Sequence, residues 1–222
     1  MIHWVVERAR QATLISRVLV ATDDERIYRS VNEFGGEVVM TPDEITSGTD
    51  RIAFVARNLD TDIIINIQGD EPLIEPEEID LVVRILLEDE EAVMGTLVKR
   101  ITDVEELKDP NTVKVVVDER GNALYFSRSP IPFCRDGREE KDWIKERPYY
   151  KHVGIYSYRK EFLLTYTRWA PTPLEAIEKL EQLRVLEKGY PIKVAETIFT
   201  HICVDTLEDL ERIRRLVVSK SG

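Results

Sequence analysis

Residues 62–72, DIIINIQGDEP, set the β-branched run Ile63, Ile64 and Ile65 against a turn in which Gly69 stands between Gln68 and Asp70. A short apolar run closed by Gly and Pro has the length and composition of a buried strand. Two similar runs precede it, 17–22 (RVLVAT) and 37–41 (EVVMT), and the stretch 24–34 between those two has helical spacing and length. Strands that alternate with helices form βαβ units, so the pattern predicts an α/β layered domain with a mostly parallel sheet and helices on both faces.

Further along, 112–118 (TVKVVVD) and 121–127 (GNALYFS) flank Glu119 and Arg120, with Gly121 opening the second run. This is the pattern of an antiparallel hairpin inserted into the α/β order. Residues 135–147 are mostly polar and read as a surface loop. A strand is expected at 151–158, then a helix from Lys160, a long amphipathic helix within 173–188, a strand at 192–197 and a last helix after Asp205. Residues Ile2, Val5, Val6 and Ala9 form a helical apolar stripe without a Ser, Thr or Asp cap before it. No repeat or Gly/Ser linker marks a boundary, so one domain over 1–222 is expected.

The 31 Lys and Arg against 42 Asp and Glu leave a net charge of −11. Without a basic tract the chain lacks the footprint that nucleic acid or an anionic membrane surface demands, and no nucleic-acid partner is expected. No run approaches the roughly 18 apolar residues of a membrane span, so no membrane insertion is expected. Cys134 and Cys203 lie far apart without metal-ligand spacing, and no leader pattern opens the chain, which points to a reducing, cytoplasmic location.

Asp70 falls just after the strand 62–67, at the carboxyl edge where ligands of parallel sheets collect. Its carboxylate could hold Mg²⁺, which takes one or two carboxylates together with phosphate oxygens. A polar turn with solvated acids is the competing reading. Asp205 stands at a second strand-to-helix junction, where a helix N-cap is the simpler role; capping and metal binding both want a carboxylate there. Two acids closing on one metal suit phosphoryl or nucleotidyl transfer, which needs positioning and charge neutralisation more than a covalent nucleophile. GxSxG, HExxH and GxxxxGK[ST] are all missing, which removes the commonest hydrolase, zinc-protease and P-loop readings.

The segments TSGTDR (46–51), NIQGDEP (66–72), ALYFSRSPIP (123–132), KHVGIYSYRKEFL (151–163), LEQLRVLEKG (180–189) and VDTLEDLE (204–211) occur in the order seen in one family. Through essentially its whole length the chain resembles the 3-deoxy-manno-octulosonate (KDO) cytidylyltransferases. The resemblance implies a three-layer, nucleotide-diphospho-sugar-transferase-like (Rossmann-like) fold with a mostly parallel mixed sheet and an inserted β-hairpin. It implies transfer of CMP from CTP to KDO, giving CMP-KDO and pyrophosphate for the lipopolysaccharide inner core, with Mg²⁺ and in a homodimer.

By the same likeness Asp70 and Asp205 are the catalytic metal-binding carboxylates. Ser47, Gly48, Thr49 and Arg51 then bind the nucleotide, and Gln68, Arg128, His152, Tyr156, Glu181 and Gln182 bind the sugar. Chemistry agrees at Arg128, since guanidinium and carboxylate pair through two parallel hydrogen bonds. His152 and Tyr156 are four apart, which on a strand puts both on one face. Taken without the likeness, SGT is a turn, Arg51 a solvated helix residue, and Glu181 and Gln182 a charged helix face. The apolar stripe Leu174, Ile177, Leu180 and Leu183 suits either a core or a subunit contact. The likeness also implies that the family's first strand and its basic triphosphate loop stand before the first helix, outside the chain as written. Around Asp205 this chain has Cys203 and Leu207 where the family commonly has Gly and Pro. The alternatives are a cytidylyltransferase for another acidic sugar such as a sialic acid, a non-catalytic nucleotide-binding paralogue, and a metal-dependent phosphohydrolase.

Overall fold

The structure, a computed structural model, describes residues 1–136, 140–199 and 211. Helix α1 (Ile2–Ala9) buries Val5, Val6 and Ala9, the apolar stripe legible in the sequence. Strand β1 (Leu19–Thr22) leads to α2 (Glu25–Glu33), which begins where the Asp24 carboxylate accepts the Arg26 N–H at 2.7 Å. Strand β2 (Glu37–Met40) follows, then α3 (Gly48–Ala56), β3 (Ile63–Asn66) and α4 (Pro76–Glu88), whose first turn carries Glu77 and Glu78 where the helix dipole favours acids. Next come β4 (Met94–Arg100), α5 (Val104–Lys108), β5 (Lys114–Val117), β6 (Ala123–Ser127), α6 (Glu140–Glu146) and β7 (Tyr150–Arg159). The described chain continues through α7 (Lys160–Tyr166), α8 (Pro173–Glu178), α9 (Leu183–Glu187) and β8 (Lys193–Glu196).

The chain divides into two compact units. Among the described residues the first contains Met1–Val55, Ile67–Asp80, Phe199 and Glu211, and the second Ala56–Asn66 and Leu81–Ile198. In the first, β1 and β2 pair in parallel in the register Leu19 to Glu37. Val6, Val20 and Val31 form its core, with Ile2, Val18, Phe34 and Val38 packed against them.

The second unit holds a mixed sheet in the order β6-β5-β7-β4-β8, with β3 also on β7. Strand β7 runs antiparallel to β3, β4 and β5, while β8 is parallel to β4. Four strands, β3, β4, β5 and β8, therefore share one direction, and the expectation of a mostly parallel mixed sheet holds in that sense. The hairpin β5–β6 stands where the sequence put it: the Asp118 carboxylate accepts the Arg120 and Asn122 N–H groups, and Gly121 takes φ +77°. Helix α4 packs over the sheet so closely that a Cβ on Gly95 would stand 2.7 Å from Ser157 Oγ and 2.8 Å from Ile85.

Two expectations are corrected. Residues 135–147 are not all loop, because 140–146 form α6, anchored by buried Trp143 in a cluster with Ile101, Leu107 and Tyr149. Nor is 173–188 one long helix. It breaks after α8 at Lys179, which adopts the left-handed φ of 55°, and restarts as α9. The break has a tertiary cause, since Glu178 is held through its backbone carbonyl and its carboxylate by Arg128 and Ser127. The stripe Leu174, Ile177, Leu180, Leu183 divides accordingly: Leu180 and Leu183 are buried, whereas Leu174 and Ile177 are exposed. The last helix expected after Asp205 lies outside the described residues.

Candidate active site

In the first unit, two predicted segments follow strand ends. Ser47 caps α3, its Oγ accepting the Asp50 N–H at 3.0 Å, so Gly48 and Thr49 open the helix. The first N–H groups of a helix have no partner within it and face anionic or polar ligands well. Gly48 is exposed and a Cβ there would meet nothing within 4 Å, whereas Thr49 is buried. Arg51 is not a solvated helix residue. Its guanidinium donates to the Asp23 carboxylate at 2.5 Å, to the Ile45 carbonyl at 2.8 Å and to Thr41 Oγ1. Asp23 and Thr41 directly follow β1 and β2, so Arg51 ties those two strand ends to its own helix.

Residues 68–75 form consecutive turns, Glu71 N–H to Gln68 carbonyl and Ile74 N–H to Glu71 carbonyl. Arg8 on α1 fixes their far end, donating to the Ile74 carbonyl at 2.9 Å and pairing with Glu75. Glu71 turns inward and is buried, while Gln68 and Asp70 are half-buried. Asp70 makes no hydrogen bond or ion pair with another described residue. Among the described residues no three His, Cys, Asp or Glu cluster as a complete metal site. A carboxylate whose oxygens take no donor from another described residue is nevertheless the kind of ligand Mg²⁺ uses, with water and phosphate supplying the rest. Asp205, the expected second carboxylate, lies outside the described residues.

The second unit carries five of the six residues predicted for the sugar; the sixth, Gln68, belongs to the first. His152 and Tyr156 do share a face of β7, with ring centroids 5.2 Å apart. The Phe126 ring meets His152 edge-on at 5.3 Å. Burial pushes the His152 pKa down to about 3, so the imidazole is neutral. Beyond Tyr156 the rings continue through Tyr158 to Tyr166, whose hydroxyl donates to the Glu181 carbonyl at 3.0 Å.

Glu181 and Gln182 are not on a charged helix face. They form the turn before α9, and Gln182 is only 4% exposed, with no side-chain hydrogen bond to another described residue. The turn is held by Arg184, which pairs with Glu175 through two nitrogens, one at 2.8 Å, lies 3.7 Å from Glu181 and stacks 5.1 Å above the Tyr166 ring. The Arg128 guanidinium spends two nitrogens on backbone carbonyls, Glu178 at 2.8 Å and Pro110 at 2.9 Å, and it has no carboxylate partner among the described residues. An oriented guanidinium with donors to spare suits an incoming carboxylate.

Sequence reasoning missed the residues that hold these groups. Lys114 is fully buried, and its ammonium donates to the carbonyls of Asp109 at 2.8 Å, Thr112 at 2.5 Å and Arg128 at 2.5 Å. Burial lowers its pKa. A lysine inside the apolar strand TVKVVVD was the visible signal. Thr96, bonded to His152, and Glu178, bonded to Ser127 and Arg128, left no local signal because their partners come from distant segments.

The helix-bearing sheet, the capped SGT turn and the acidic turn after β3 are the parts of a nucleotidyltransferase. The cytidylyltransferase family model matches residues 1–215, and the chain belongs to that family. Within it the chain belongs with the 3-deoxy-manno-octulosonate cytidylyltransferases. The relative from Solibacter usitatus is 51% identical over 97% of this chain and 83% of its own length, and that from Geotalea uraniireducens 52% over 96% and 86%. A solved CMP:2-keto-3-deoxy-manno-octonic acid synthetase complexed with CTP superposes with a TM-score of 0.91 at 40% identity, covering 99% of this chain and 88% of that one. The 4-diphosphocytidyl-2C-methyl-D-erythritol synthase of Anaerococcus prevotii, at 14% identity and a TM-score of 0.62 over 97% and 88%, shares the fold.

Proposed function

We propose that this chain transfers CMP from CTP to KDO, releasing pyrophosphate and forming CMP-KDO for lipopolysaccharide synthesis. The observation that carries the sugar half is the network of the second unit. It orients Arg128, His152 and Gln182 through backbone carbonyls, rings and a buried ion pair, yet leaves each with hydrogen-bonding capacity that no described residue takes up. A guanidinium, an imidazole and an amide so prepared match a carboxylate flanked by hydroxyls. In this reading Ser47, Gly48, Thr49 and Arg51 shape the nucleotide end, Gln68 reaches the sugar, and Tyr156 and Glu181 complete the sugar contacts.

Asp70 and Asp205 would hold Mg²⁺, which when bound neutralises charge on the triphosphate oxygens. The reaction forms a bond between the anomeric oxygen of KDO and the α-phosphorus of CTP and breaks the bond to the β-phosphate bridging oxygen, while the hydroxyl proton is lost. Orienting the acidic sugar for in-line attack is what the protein residues contribute.

The working form in this reading is a cytoplasmic homodimer, for which Ile177, 78% exposed on α8, offers apolar surface. No helix among the described residues is long and apolar enough to cross a membrane.

Pyrophosphate release from CTP, measured with KDO, with a sialic acid and without sugar, tests the assignment. Release with KDO alone is expected. Release with the sialic acid but not KDO refutes the substrate, and free phosphate from CTP without any sugar refutes the transferase chemistry.

A further inference from the structure

Thr96, buried on β4, places its Oγ1 2.9 Å from His152 Nε2, 2.8 Å from the Ile155 carbonyl and 3.2 Å from the Val153 carbonyl. It stands at an irregularity in the sheet: β4 steps from Thr96 to Leu97 while β7 steps from Tyr156 to Val153, and the hydroxyl lies within hydrogen-bond distance of the carbonyls on either side of Gly154. A hydroxyl has one proton, and carbonyls only accept. Were the hydroxyl to donate that proton to His152, two carbonyl oxygens would face the lone pairs of Oγ1 in a buried setting, which costs free energy. Oγ1 therefore donates to Ile155, the nearer carbonyl, and accepts from His152 Nε2–H. A neutral imidazole carries one N–H, so Nδ1 keeps a lone pair, and it bonds no other described residue.

We propose that Thr96 is a positioning residue that locks His152 as the Nε2–H tautomer, making Nδ1 an acceptor for a hydroxyl of the acidic sugar. The second half of this assignment rests on the function proposed above. Its consequence for selectivity is directional: a sugar position presenting a hydroxyl donates to Nδ1, and a replacement that can only accept leaves two lone pairs opposed.

Long-range ¹H–¹⁵N correlation spectra of the imidazoles at pH 7 read the tautomer directly. The chain has three histidines, so His3→Gln and His201→Gln variants identify the His152 signals. Protonated Nε2 is expected in the wild type, a loss of the single tautomer in Thr96→Val, and its return in Thr96→Ser. With the same proteins KM for KDO should rise about tenfold in Thr96→Val and recover in Thr96→Ser, with KM for CTP unchanged, the size of one hydrogen bond. A wild-type proton on Nδ1, or an unaltered spectrum in Thr96→Val, overturns the role of Thr96. A shifted tautomer with an unchanged KM for KDO overturns the acceptor role of Nδ1. Should the wild type fail to turn over KDO at all, the proposed function fails, and the spectra still decide the part played by Thr96.

Discussion

Replacing Glu175 by Gln removes one charge from the buried pair that braces the Glu181–Gln182 turn. The pair is well enclosed, with side-chain exposures of 8% for Arg184 and 12% for Glu175. Breaking such a pair by neutralising one partner costs about 3–5 kcal/mol, because the remaining charge stays buried. Here Arg184 keeps the Trp169 carbonyl at 3.2 Å, Glu181 at 3.7 Å and the Tyr166 ring, so the lower end, about 3 kcal/mol, applies. At roughly 2–4 °C per kcal/mol for a chain of this size, Tm should fall by about 6–12 °C. Combining Glu175→Gln with Arg184→Met removes the stranded cation, and the double variant should recover a good part of the loss. Scanning calorimetry of the four proteins closes the cycle. A Tm for Glu175→Gln within about 2 °C of wild type, or a double variant as unstable as the two single losses added together, refutes the reasoning. The pH dependence has a fixed sign. Burial alone would raise the Glu175 pKa, but hydrogen bonds from Arg184 and the Thr172 N–H outweigh it and hold it below its ordinary value. Its stabilising contribution is thus present above the unfolded value of about 4.3 and is lost as pH falls through the lower folded one.

Four further outcomes follow from particular contacts. His152 should show no titration between pH 5 and 8 in an NMR titration, since its folded pKa is about 3; its burial as a neutral group weakens the fold as pH drops below the unfolded value of about 6.5. Gly95→Ala should destabilise by about 1–3 kcal/mol in urea unfolding, because the added methyl meets Ser157 and Ile85 under a packed helix. Arg128→Gln should raise KM for KDO at least roughly tenfold with KM for CTP unaffected, the loss of a charge-assisted contact, and equal effects on both substrates would contradict its assignment. Asp70→Asn should remove most Mg²⁺-dependent turnover with Tm nearly unchanged, as the carboxylate supports no described contact in the fold.

Much of the architecture was legible because local pattern and final environment agree. The runs at 17–22, 37–41 and 62–67 became β1, β2 and β3, and the two runs flanking Glu119 and Arg120, with Gly121 opening the second, marked the hairpin. The failures have tertiary causes. The helical period across 173–188 gave no sign that Arg128 and Ser127, some 50 residues earlier, would hold Glu178 and end α8 there. Residues 135–147 looked polar, yet Trp143, with Ile144 beside it, seats α6 on Ile101 and Leu107. For the site, residue types and family likeness singled out His152, Tyr156, Arg128 and Gln182, but not what orients them. Thr96 acts by bonding ring and backbone atoms brought from far along the chain, which no spacing rule records, and Lys114 joins the nearby Asp109 and Thr112 carbonyls to that of Arg128. Asp205 was singled out by the same reasoning and lies outside the described residues.

Under the proposed function, one protein joins a cytidylyl group to the acidic sugar, with Arg128, His152 and Gln182 meeting its carboxylate and hydroxyls. ³¹P NMR of CTP mixed with KDO, Mg²⁺ and the protein observes this directly. Equimolar pyrophosphate and a new CMP phosphodiester, both dependent on KDO, are the expected signals. CTP that persists unchanged, or that yields CDP and inorganic phosphate, contradicts the account.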